Sequence, residues 1–542
     1  MKLNDKLLRW IFAALIAISF AINYAGIFDK KMDMNGDNYY YFLLAQSLAD
    51  GKGYVSEIGP EPVPHTHYPP GYPAFMSVFM HIFPGNIVAM KVLNGLLFLF
   101  SLLLLFQIIA RTTGRHGIYI GLVACLLCTV HTDLLRWSTI IMSEMLYICI
   151  SLLIVALFLQ LDFEALARKR RGQILLVVLL CLLVFYTYFV RTMGISVILA
   201  LMAALVIEAI RQKRWAPVIV CAAVALSLLA AHESWSIRNR RVSPNYHSDY
   251  LTTFQSREAG GKMSTVKDWT SRIGTNIEHF ATCYIPRSIM HPVMDDPQNV
   301  EKPHFKDWLT GIVVIGLIIA GLAAMKGVGW LLVIYVFVTF GVLMLYPVHY
   351  GGTRYFIPVL PLMIAGVVSG VYFVLGLVFR LFKRRSASGW LQPALLVVLL
   401  VLLGRVYIQD QVINRRWASD DYLTYLPRLS MIDELVKASE FFKDAPQNVI
   451  TCVIKPEIFY VHSGGHHAVA LPRSGTPEEV IRYFIDNNVH FVIFDHLFNT
   501  ANRIAVPAYL KYKGLFEIVR VYGDEQYGMT SIMRFNPRNL PL

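Results

Sequence analysis

The sequence predicts an α-helical polytopic membrane protein of about eleven transmembrane helices, with interfacial helices in the first external loop and a small external α/β domain at the C-terminal end. Of its 542 residues, 56% are hydrophobic and 16% charged, and the mean hydropathy is +0.51, whereas soluble domains carry about 25% charged residues. Apolar runs of about 20 residues, long enough to cross the hydrocarbon core as a helix, recur from Leu7 to Ile408. An ordinary water-soluble enzyme is therefore excluded.

Each span should be a helix, because lipid offers no hydrogen-bond partner to an open backbone. The apolar runs predict eleven spans, near residues 7–27, 87–110, 117–132, 142–161, 173–190, 194–210, 216–232, 308–325, 328–346, 354–379 and 390–408. The first run follows basic residues as a signal peptide does, but no convincing cleavage site precedes Asp29, so we interpret it as a retained anchor.

The distribution of Lys and Arg predicts the orientation. Basic residues gather at one set of span ends, near residues 2–9, 111–115, 168–171, 211–214, 326 and 380–385, and the short opposite turns hold Arg136, Arg191 and Arg354. Cytoplasmic loops collect positive charge, so we expect a cytoplasmic N-terminus, an external C-terminus and a place in the bacterial inner membrane. The formal net charge of +13 then reflects topology, and a nucleic-acid partner is not expected.

Two domains follow from this topology. Residues 1–408 form a transmembrane domain with long external loops at 28–86 and 233–307, and residues 409–542 form a C-terminal periplasmic α/β domain. In the latter, strand-like runs occur at 448–454, 489–495, 515–521 and 528–534, and Thr476 and Glu479 form a capping box around Pro477. The external Cys283 and Cys452 leave a disulfide open, since spacing alone does not fix the geometry.

The first external loop contains a candidate acid, Asp37. Residues 37–50 predict a helix with Tyr40, Leu44 and Leu48 on one stripe, and a second helix should follow from Pro73 to Phe83. Both are too short to span and should lie at the outer surface. Asp37 is then either a helix cap or a functional acid at headgroup level.

A second candidate acid, Glu144, opens the fourth span, where it is either favoured by the helix dipole or functional. Several outer-surface residues run against the orientation rule or stand where a lipid phosphate would lie: Arg191, Arg238, Arg354 and Tyr355. Each arginine is alternatively an interface residue with its head in water. Charge kept at membrane depth, or just outside it, is a functional hypothesis by default.

Carboxylates and arginines at the outer surface suit glycosyl transfer from a polyprenyl-phosphate sugar. An ionised Asp can accept the proton of an acceptor hydroxyl, and phosphate leaves without a general acid because its second pKa is about 6. Arginine stabilises the developing phosphate charge with paired donors. The membrane body would accommodate the lipid tail of the donor.

Several motifs carry a resemblance to a known superfamily, taken as an ordered set over residues 1–380: Gly36-Asp37-Asn38-Tyr39-Tyr40, Gly51-Lys52-Gly53-Tyr54, Tyr68-Pro69-Pro70-Gly71-Tyr72-Pro73, Ser143-Glu144, Trp235-Ser236-Ile237-Arg238-Asn239 and Arg354-Tyr355-Phe356-Ile357-Pro358. In these motifs the sequence resembles the C-type membrane glycosyltransferases, in particular the branch of protein O-mannosyltransferases and the bacterial aminoarabinose transferase of lipid A. The resemblance implies inversion at the anomeric carbon, with Asp37 as base and Glu144 positioning the acceptor or donor.

The resemblance does not carry a metal site over cleanly. The family frequently pairs acids as Asp-Glu or Asp-x-Asp, but here Asn38 follows Asp37, and Asp33 lies four residues upstream. A divalent metal is therefore possible as cofactor, but none is assigned. His65 and His67 could reach phosphate or metal, although solvated loop histidines are the alternative and zinc would need further ligands.

Tyr40, His65, His67, Tyr68 and Trp235 are the remaining substrate-cleft candidates. Trp235 and Arg238 either line the acceptor side or belong to an aromatic and basic interface belt. The expected partners are a polyprenyl-phosphate sugar donor, membrane lipids and a lipid A, glycan or protein acceptor. Two other functions stay open. A transporter or flippase would place polar groups near the bilayer midplane, and a surface sensing or assembly protein would keep the fold without catalysis.

Overall fold

A computed structural model describes the chain at residues 5–32, 36–114, 116–243, 254–256, 261–290, 302–348, 352–381, 388–472, 474–497, 501–524 and 528–539. Its helices are, in chain order, α1 (Asp5–Ile27), α2 (Asp37–Ala49), α3 (Gly71–Met80), α4 (Ile87–Thr112), α5 (Gly117–Val130), α6 (Thr132–Ser138), α7 (Glu144–Phe158), α8 (Phe163–Ala167), α9 (Arg171–Val190), α10 (Ile195–Gln212), α11 (Ala216–Val242), α12 (Val266–His279), α13 (Ile285–Met290), α14 (Phe305–Ala323), α15 (Gly329–Leu343), α16 (Leu360–Leu381), α17 (Ser388–Ala418), α18 (Tyr422–Tyr425), α19 (Ser430–Glu440), α20 (Pro456–His462), α21 (Pro477–Asp486) and α22 (Val506–Lys511).

The strands are β1 (Val55–Ser56), β2 (Val63–Pro64), β3 (Thr451–Val453), β4 (Ala468–Ala470), β5 (Phe491–Phe494), β6 (Phe516–Asp524) and β7 (Gly528–Phe535). A 3-10 turn at Thr192–Gly194 precedes α10, another at Thr353–Val359 precedes α16, and a π-helical segment at Phe280–Tyr284 joins α12 to α13.

The predicted polytopic helical architecture is confirmed. Among the described residues, eight helices are long and apolar enough to cross a membrane, and the pair α5 and α6, bent by 67°, would make a ninth span. The shorter apolar helices α7 and α15 occupy the fourth and ninth predicted spans. The chain is therefore a multi-span membrane protein, while its orientation and its particular membrane stay predictions.

By compactness the chain divides into two units. The helical unit contains Met1–Phe28, Pro69–Tyr72 and Val88–Arg415, and the α/β unit contains Asp29–Tyr68, Pro73–Ile87 and Arg416–Leu542. This division groups most of the first external loop with the C-terminal residues. The domain boundary at residue 408, which the sequence predicts, stays a prediction.

Small residues bring helices of the helical unit together. A methyl group at Gly321 of α14 would collide with the backbone of Gly366 and Gly370 of α16, so these two helices touch backbone to backbone. Close packing of this kind is a common means of association between membrane helices. Apolar side chains such as Leu175 and Leu182 of α9 remain exposed, as expected of a face that meets lipid.

The α/β unit is built on a five-stranded sheet in the order β4-β3-β5-β7-β6. Strand β3 is parallel to β4 and β5, and β7 is antiparallel to β5 and β6. The sheet packs on an apolar core that includes Phe484, Val492 and Phe535. Each strand run predicted in the sequence contains a strand, and the capping box of Thr476 and Glu479 at α21 is confirmed.

The structure bears on the helices of the first external loop, on the cap of α2 and on the two external cysteines. Residues 37–50 and 73–83 do form helices, α2 and α3, and their interfacial position stays a prediction. Asp37 does not cap α2, because Gly36 occupies the N-cap position and no side chain caps the helix there. Cys283 and Cys452 are both buried, and neither forms the disulfide that the sequence left open.

Candidate functional site

Glu144 is the buried centre of a charge cluster in the helical unit. It is the first residue of α7, and its side chain is fully buried. Arg191 Nη1 lies 2.7 Å from Glu144 Oε1, and Arg354 Nε lies 3.9 Å from the same oxygen. The approach of Arg191 is short but misaligned, so the contact is an ion pair without a hydrogen bond; within the described residues neither carboxylate oxygen of Glu144 accepts one. The sequence candidates Glu144, Arg191 and Arg354 thus come together.

Burial argues against a purely local role for Glu144. An acid at an exposed helix N-terminus gains about 0.3–1 kcal/mol from the dipole, whereas a buried carboxylate must be matched by positive charge. Here two guanidinium groups, with side chains 13% and 26% exposed, accompany one carboxylate. This group of three side chains therefore carries one net positive charge, which suits an anionic ligand such as a phosphate.

Aromatic rings hold Arg354 in place. Its guanidinium lies 5.5 Å from the ring centre of Trp137 and 5.8 Å from that of Tyr355, within the range of cation–π attraction. Tyr355 in turn contacts the ring of Tyr346 at 6.1 Å. The predicted pairing of Arg354 with Tyr355 is therefore a physical contact, and Trp137 is a neighbour that the sequence did not suggest.

The Pro-Pro-Gly-Tyr motif of the first external loop is linked by hydrogen bonds to the segment that precedes Glu144. Tyr72 Oη donates to Asn94 Oδ1 at 3.0 Å, and Asn94 Nδ2 donates to the carbonyl of Ile140 and, at 3.4 Å, to that of Met142. These bonds fix the turn that leads into Glu144. The motif thereby acts as a scaffold for a site residue that follows it by more than 70 positions.

Gly71 of this motif also lies against the end of α9. A Cβ at Gly71 would lie 2.6 Å from the backbone of Phe189 and 2.7 Å from that of Val190, and Tyr186 Oη donates to the Gly71 carbonyl at 2.9 Å. Arg191 follows directly after these residues. Glycine is therefore required here by close backbone approach, and the turn fixes the start of the segment that carries Arg191.

Arg238 and Trp235 lie near the end of α11 in the same unit. The guanidinium of Arg238 is 5.3 Å from the ring centre of Trp235, and Arg238 Nη1 donates to Asn239 Oδ1 at 2.7 Å. Trp235 is buried and meets the ring of Phe189 edge-on at 6.3 Å. These contacts place Trp235 beside the turn that ends at Arg191, and their assignment to the donor or acceptor side stays a prediction.

Asp37 lies in the α/β unit within a cluster of aromatic side chains. Tyr68 Oη donates to Asp37 Oδ1 at 2.8 Å. Burial, followed by the charge of Asp37, raises the pKa of Tyr68 well above its usual value, so the phenol keeps its proton and remains a donor. The rings of Tyr40 and Tyr41 contact that of Tyr68 at 5.8 and 5.0 Å.

The two histidines of the Pro-rich turn hold Tyr68 in place. His65 stacks on the Tyr68 ring at 5.4 Å with an interplanar angle of 10°, and His67 meets it edge-on at 4.5 Å. His65 Nε2 also accepts the backbone N–H of Tyr68 at 3.0 Å. These contacts give both residues a structural task, the positioning of the phenol that donates to Asp37.

A divalent metal ion stays unassigned. In the part of the chain that the structure describes, no group of three or more His, Cys, Asp and Glu side chains converges as metal ligands would. The upstream acid Asp33 lies outside the described residues. Glu457 of α20 lies against Gly36, and its Oε1 is 3.6 Å from the ammonium nitrogen of Lys455.

Lys455 and Glu457 are site residues that the sequence reasoning missed. Both follow the predicted strand at 448–454, and Pro456 between them begins α20. Ligands of α/β sheets bind at the carboxyl ends of parallel strands, so the run Lys-Pro-Glu after a strand was a usable signal. Their partner segment, around Gly36, is more than 400 residues away in the sequence, and no local pattern links the two.

At the level of sequence, no model of a protein family and no curated protein matches this chain. Solved structures do resemble it. The Archaeoglobus fulgidus oligosaccharyltransferase tethered with an acceptor peptide aligns with a TM-score of 0.56 and 11% identity over 98% of this chain and 75% of that one. Its complex with an inhibitory peptide and a dolichol-phosphate gives 0.55 and 9% over 99% and 75%.

ArnT from Cupriavidus metallidurans bound to undecaprenyl phosphate aligns with a TM-score of 0.55 and 11% identity, over 98% of this chain and 99% of that chain. Likeness at such low identity is a likeness of fold. The resemblance to the C-type membrane glycosyltransferases that the sequence motifs suggested is confirmed at this level.

Proposed function

We propose that this chain is a membrane glycosyltransferase that moves a sugar from a polyprenyl-phosphate donor to an extracytoplasmic lipid, glycan or protein acceptor, with inversion at the anomeric carbon. The observation that carries the proposal is the buried cluster of Glu144, Arg191 and Arg354. Solved structures of the same fold are described with dolichol-phosphate and undecaprenyl phosphate, which is the donor chemistry proposed here.

The cluster has the charge that a phosphate carrier needs. A guanidinium group binds phosphate oxygens with paired N–H donors. Glu144 lies close to both Arg191 and Arg354, and the net positive charge of the three side chains would attract a phosphate. As the bond from anomeric carbon to phosphate breaks, the negative charge on phosphate grows, so arginine contacts would strengthen in the transition state.

Asp37 is proposed as the base that takes the proton of the acceptor. A carboxylate has about four acceptor positions, so the bond from Tyr68 leaves capacity for an alcohol. The phenol would also hold the carboxylate in one rotamer, since its proton stays on oxygen. The acceptor oxygen attacks the anomeric carbon from the face opposite to the phosphate, its proton passes to Asp37, and the phosphate leaves with the bonding electrons.

The test is transfer by the purified full-length protein in liposomes. Polyprenyl phosphate carrying a radiolabelled sugar is the donor, and envelope membranes from a strain lacking this chain supply acceptors. The variant Asp37→Asn should lose transfer by about 10²–10⁴-fold, the usual contribution of a general base. Asp50→Asn is the matched control, because Asp50 follows the same helix α2 and is exposed.

The outcomes separate the competing functions. Near-normal turnover by Asp37→Asn would exclude Asp37 as the base. Label that crosses the bilayer on its carrier without transfer to any acceptor would favour a flippase, and absence of both activities would favour a protein that has kept the fold without catalysis.

A further inference from the structure

The carboxyl edge of the parallel strands in the α/β unit collects charged side chains. Lys455 and Glu457 follow the end of β3, and Asp495 follows the end of β5, the parallel neighbour of β3. Parallel strands end at the same edge of a sheet, which is where α/β folds bind ligands. Glu457 and Asp495 are both buried, so this edge holds two carboxylates away from bulk water.

The segment that carries Asp37 lies directly against this edge. A Cβ at Gly36 would lie 2.8 Å from Lys455 Nζ and 2.9 Å from Glu457 Oε1. Gly36 also has a φ of +87°, so both space and backbone conformation favour glycine at this position. The residue immediately before the proposed base is thus in contact with an ammonium and a carboxylate of the C-terminal region.

A second contact joins the same two elements. Tyr39 Oη of α2 and His462 Nε2 of α20 lie 2.8 Å apart, with Tyr39 buried and His462 half-buried. Burial lowers the pKa of His462, so the imidazole is held neutral and can share one hydrogen bond with the phenol. Helix α2 is therefore attached to α20 at both the Gly36 and the Tyr39 positions.

The charges around Asp37 influence one another. Burial raises the pKa of Glu457, the charge of Lys455 opposes this rise and the charge of Asp37 adds to it. Lys455 Nζ lies 3.6 Å from Glu457 Oε1, and its charge also reaches Asp495. The ammonium group of Lys455 thus interacts with the carboxylates of Glu457 and Asp495, which follow β3 and β5 in the chain. The charge of Asp37 also acts on Glu457.

We propose that Lys455 is a positioning residue for Asp37, whose ammonium group compensates the negative charge of Asp37, Glu457 and Asp495 and ties the first external loop to the carboxyl edge of the sheet. This inference rests on the proposed function, since it assigns Lys455 a task only if Asp37 acts as a base. It gives the C-terminal region a part in catalysis through a fixed cation.

The test is the pH dependence of kcat/KM for sugar transfer by the full-length protein. Tyr68, which keeps its proton, donates to Asp37, the charge of Asp37 acts on Glu457, and Lys455 Nζ lies beside Gly36. Removing the cation in Lys455→Met should move the acid limb of the profile upward by about one pH unit, the lower end for a charge within about 4–6 Å, so that kcat/KM falls about tenfold at pH values below the limb. Lys455→Arg should keep most of the activity.

Removing the neighbouring negative charge gives the opposite expectation. Glu457→Gln should move the acid limb downward, and the double variant of Lys455 and Glu457 should return it toward the wild-type position. Opposite shifts of this kind follow from charge and would not follow from a loss of packing. If Lys455→Met fails to fold, the downward shift in Glu457→Gln still tests the proposal.

Lys437→Met is the matched control, because Lys437 lies in the same unit and forms an exposed pair with Asp433 at 2.6 Å. A wild-type pH profile in both Lys455→Met and Glu457→Gln, with Asp37→Asn inactive, would overturn the role of Lys455 and leave the proposed function standing. An active Asp37→Asn, or no transfer by the unmodified protein, would instead overturn the proposed function.

Discussion

Replacing Glu144 by Gln tests whether the charge cluster of the helical unit is held by its carboxylate. The substitution keeps the volume of the side chain and removes its charge, so no cavity is created. Breaking a buried ion pair costs about 3–5 kcal/mol, because the remaining charge is left without compensation. Arg191 and Arg354 are 13% and 26% exposed, so water screens part of this cost and we expect about 3 kcal/mol.

The expected shift in melting temperature follows from the size of the chain. Unfolding entropy scales as about 2.1 cal/mol/K per residue, and over 542 residues a loss of about 3 kcal/mol lowers the Tm by about 3 °C for cooperative unfolding. The assay is thermal unfolding of the full-length protein in detergent at neutral pH. Added inorganic phosphate should stabilise Glu144→Gln more than the unmodified protein, since the substitution makes the cluster more positive by one charge.

The control for this experiment is a second acid that also meets two arginines, but at the surface. Glu164 contacts Arg168 and, at 3.4 Å, Arg214, and all three side chains are at least 41% exposed. Exposed pairs contribute about 0–1 kcal/mol, so Glu164→Gln should change the Tm by about 1 °C or less. Equal Tm values for the two variants would refute the interpretation of Glu144 as the buried centre of the cluster.

Two further predictions concern pH and backbone space. Burial raises the pKa of Asp495 from 3.8 to about 7, although the bond from Leu497 N–H opposes this rise. The native state therefore binds the proton more tightly than the unfolded state, and the free energy of unfolding falls as pH rises from about 4 to 7, by about 4 kcal/mol at most. Asp495→Asn should flatten the matching fall in Tm with pH, and an unchanged slope of Tm against pH would exclude the effect. Gly71→Ala should destabilise the protein by about 1–3 kcal/mol, because its Cβ would lie 2.6 Å from the Phe189 backbone. In the control Gly59→Ala the nearest neighbour of the Cβ is 3.9 Å away, so little effect is expected. Equal Tm values for the two variants would contradict the argument from backbone space.

The membrane-spanning helices could be predicted because the thickness of the membrane fixes how many consecutive apolar residues each one needs. A run of about 20 apolar residues is needed to cross the hydrocarbon, and that signal is local. Three helices at predicted spans are clearly shorter than this length: α5 has 14 residues, and α7 and α15 have 15 each. For α7 the reason is visible, since the turn before Glu144 is fixed by Asn94 and delays the start of the helix. The capping box at Thr476 was equally predictable, because both of its residues lie within four positions.

The contacts that build the candidate sites could not be predicted in the same way. The pairing of Arg191 with Glu144 joins residues 47 positions apart, and Tyr68 reaches Asp37 across 31 positions. The alternative that Asp37 caps α2 is wrong for this reason: its carboxylate accepts a bond from a distant phenol, and Gly36 takes the N-cap position. Sequence reasoning identified the acids and arginines by residue type and predicted depth, while tertiary packing decides which of them meet.

The charge balance of the two clusters differs in a way that matches the two tasks of the proposed reaction. In the helical unit, Arg191 and Arg354 outnumber the single carboxylate of Glu144, and an excess of buried positive charge stabilises a departing phosphate. In the α/β unit the ammonium of Lys455 accompanies the carboxylate of Glu457, on which the charge of Asp37 acts, and an ionised Asp37 would take up the proton of the acceptor. Under the proposed function, loss of either cluster should therefore abolish transfer.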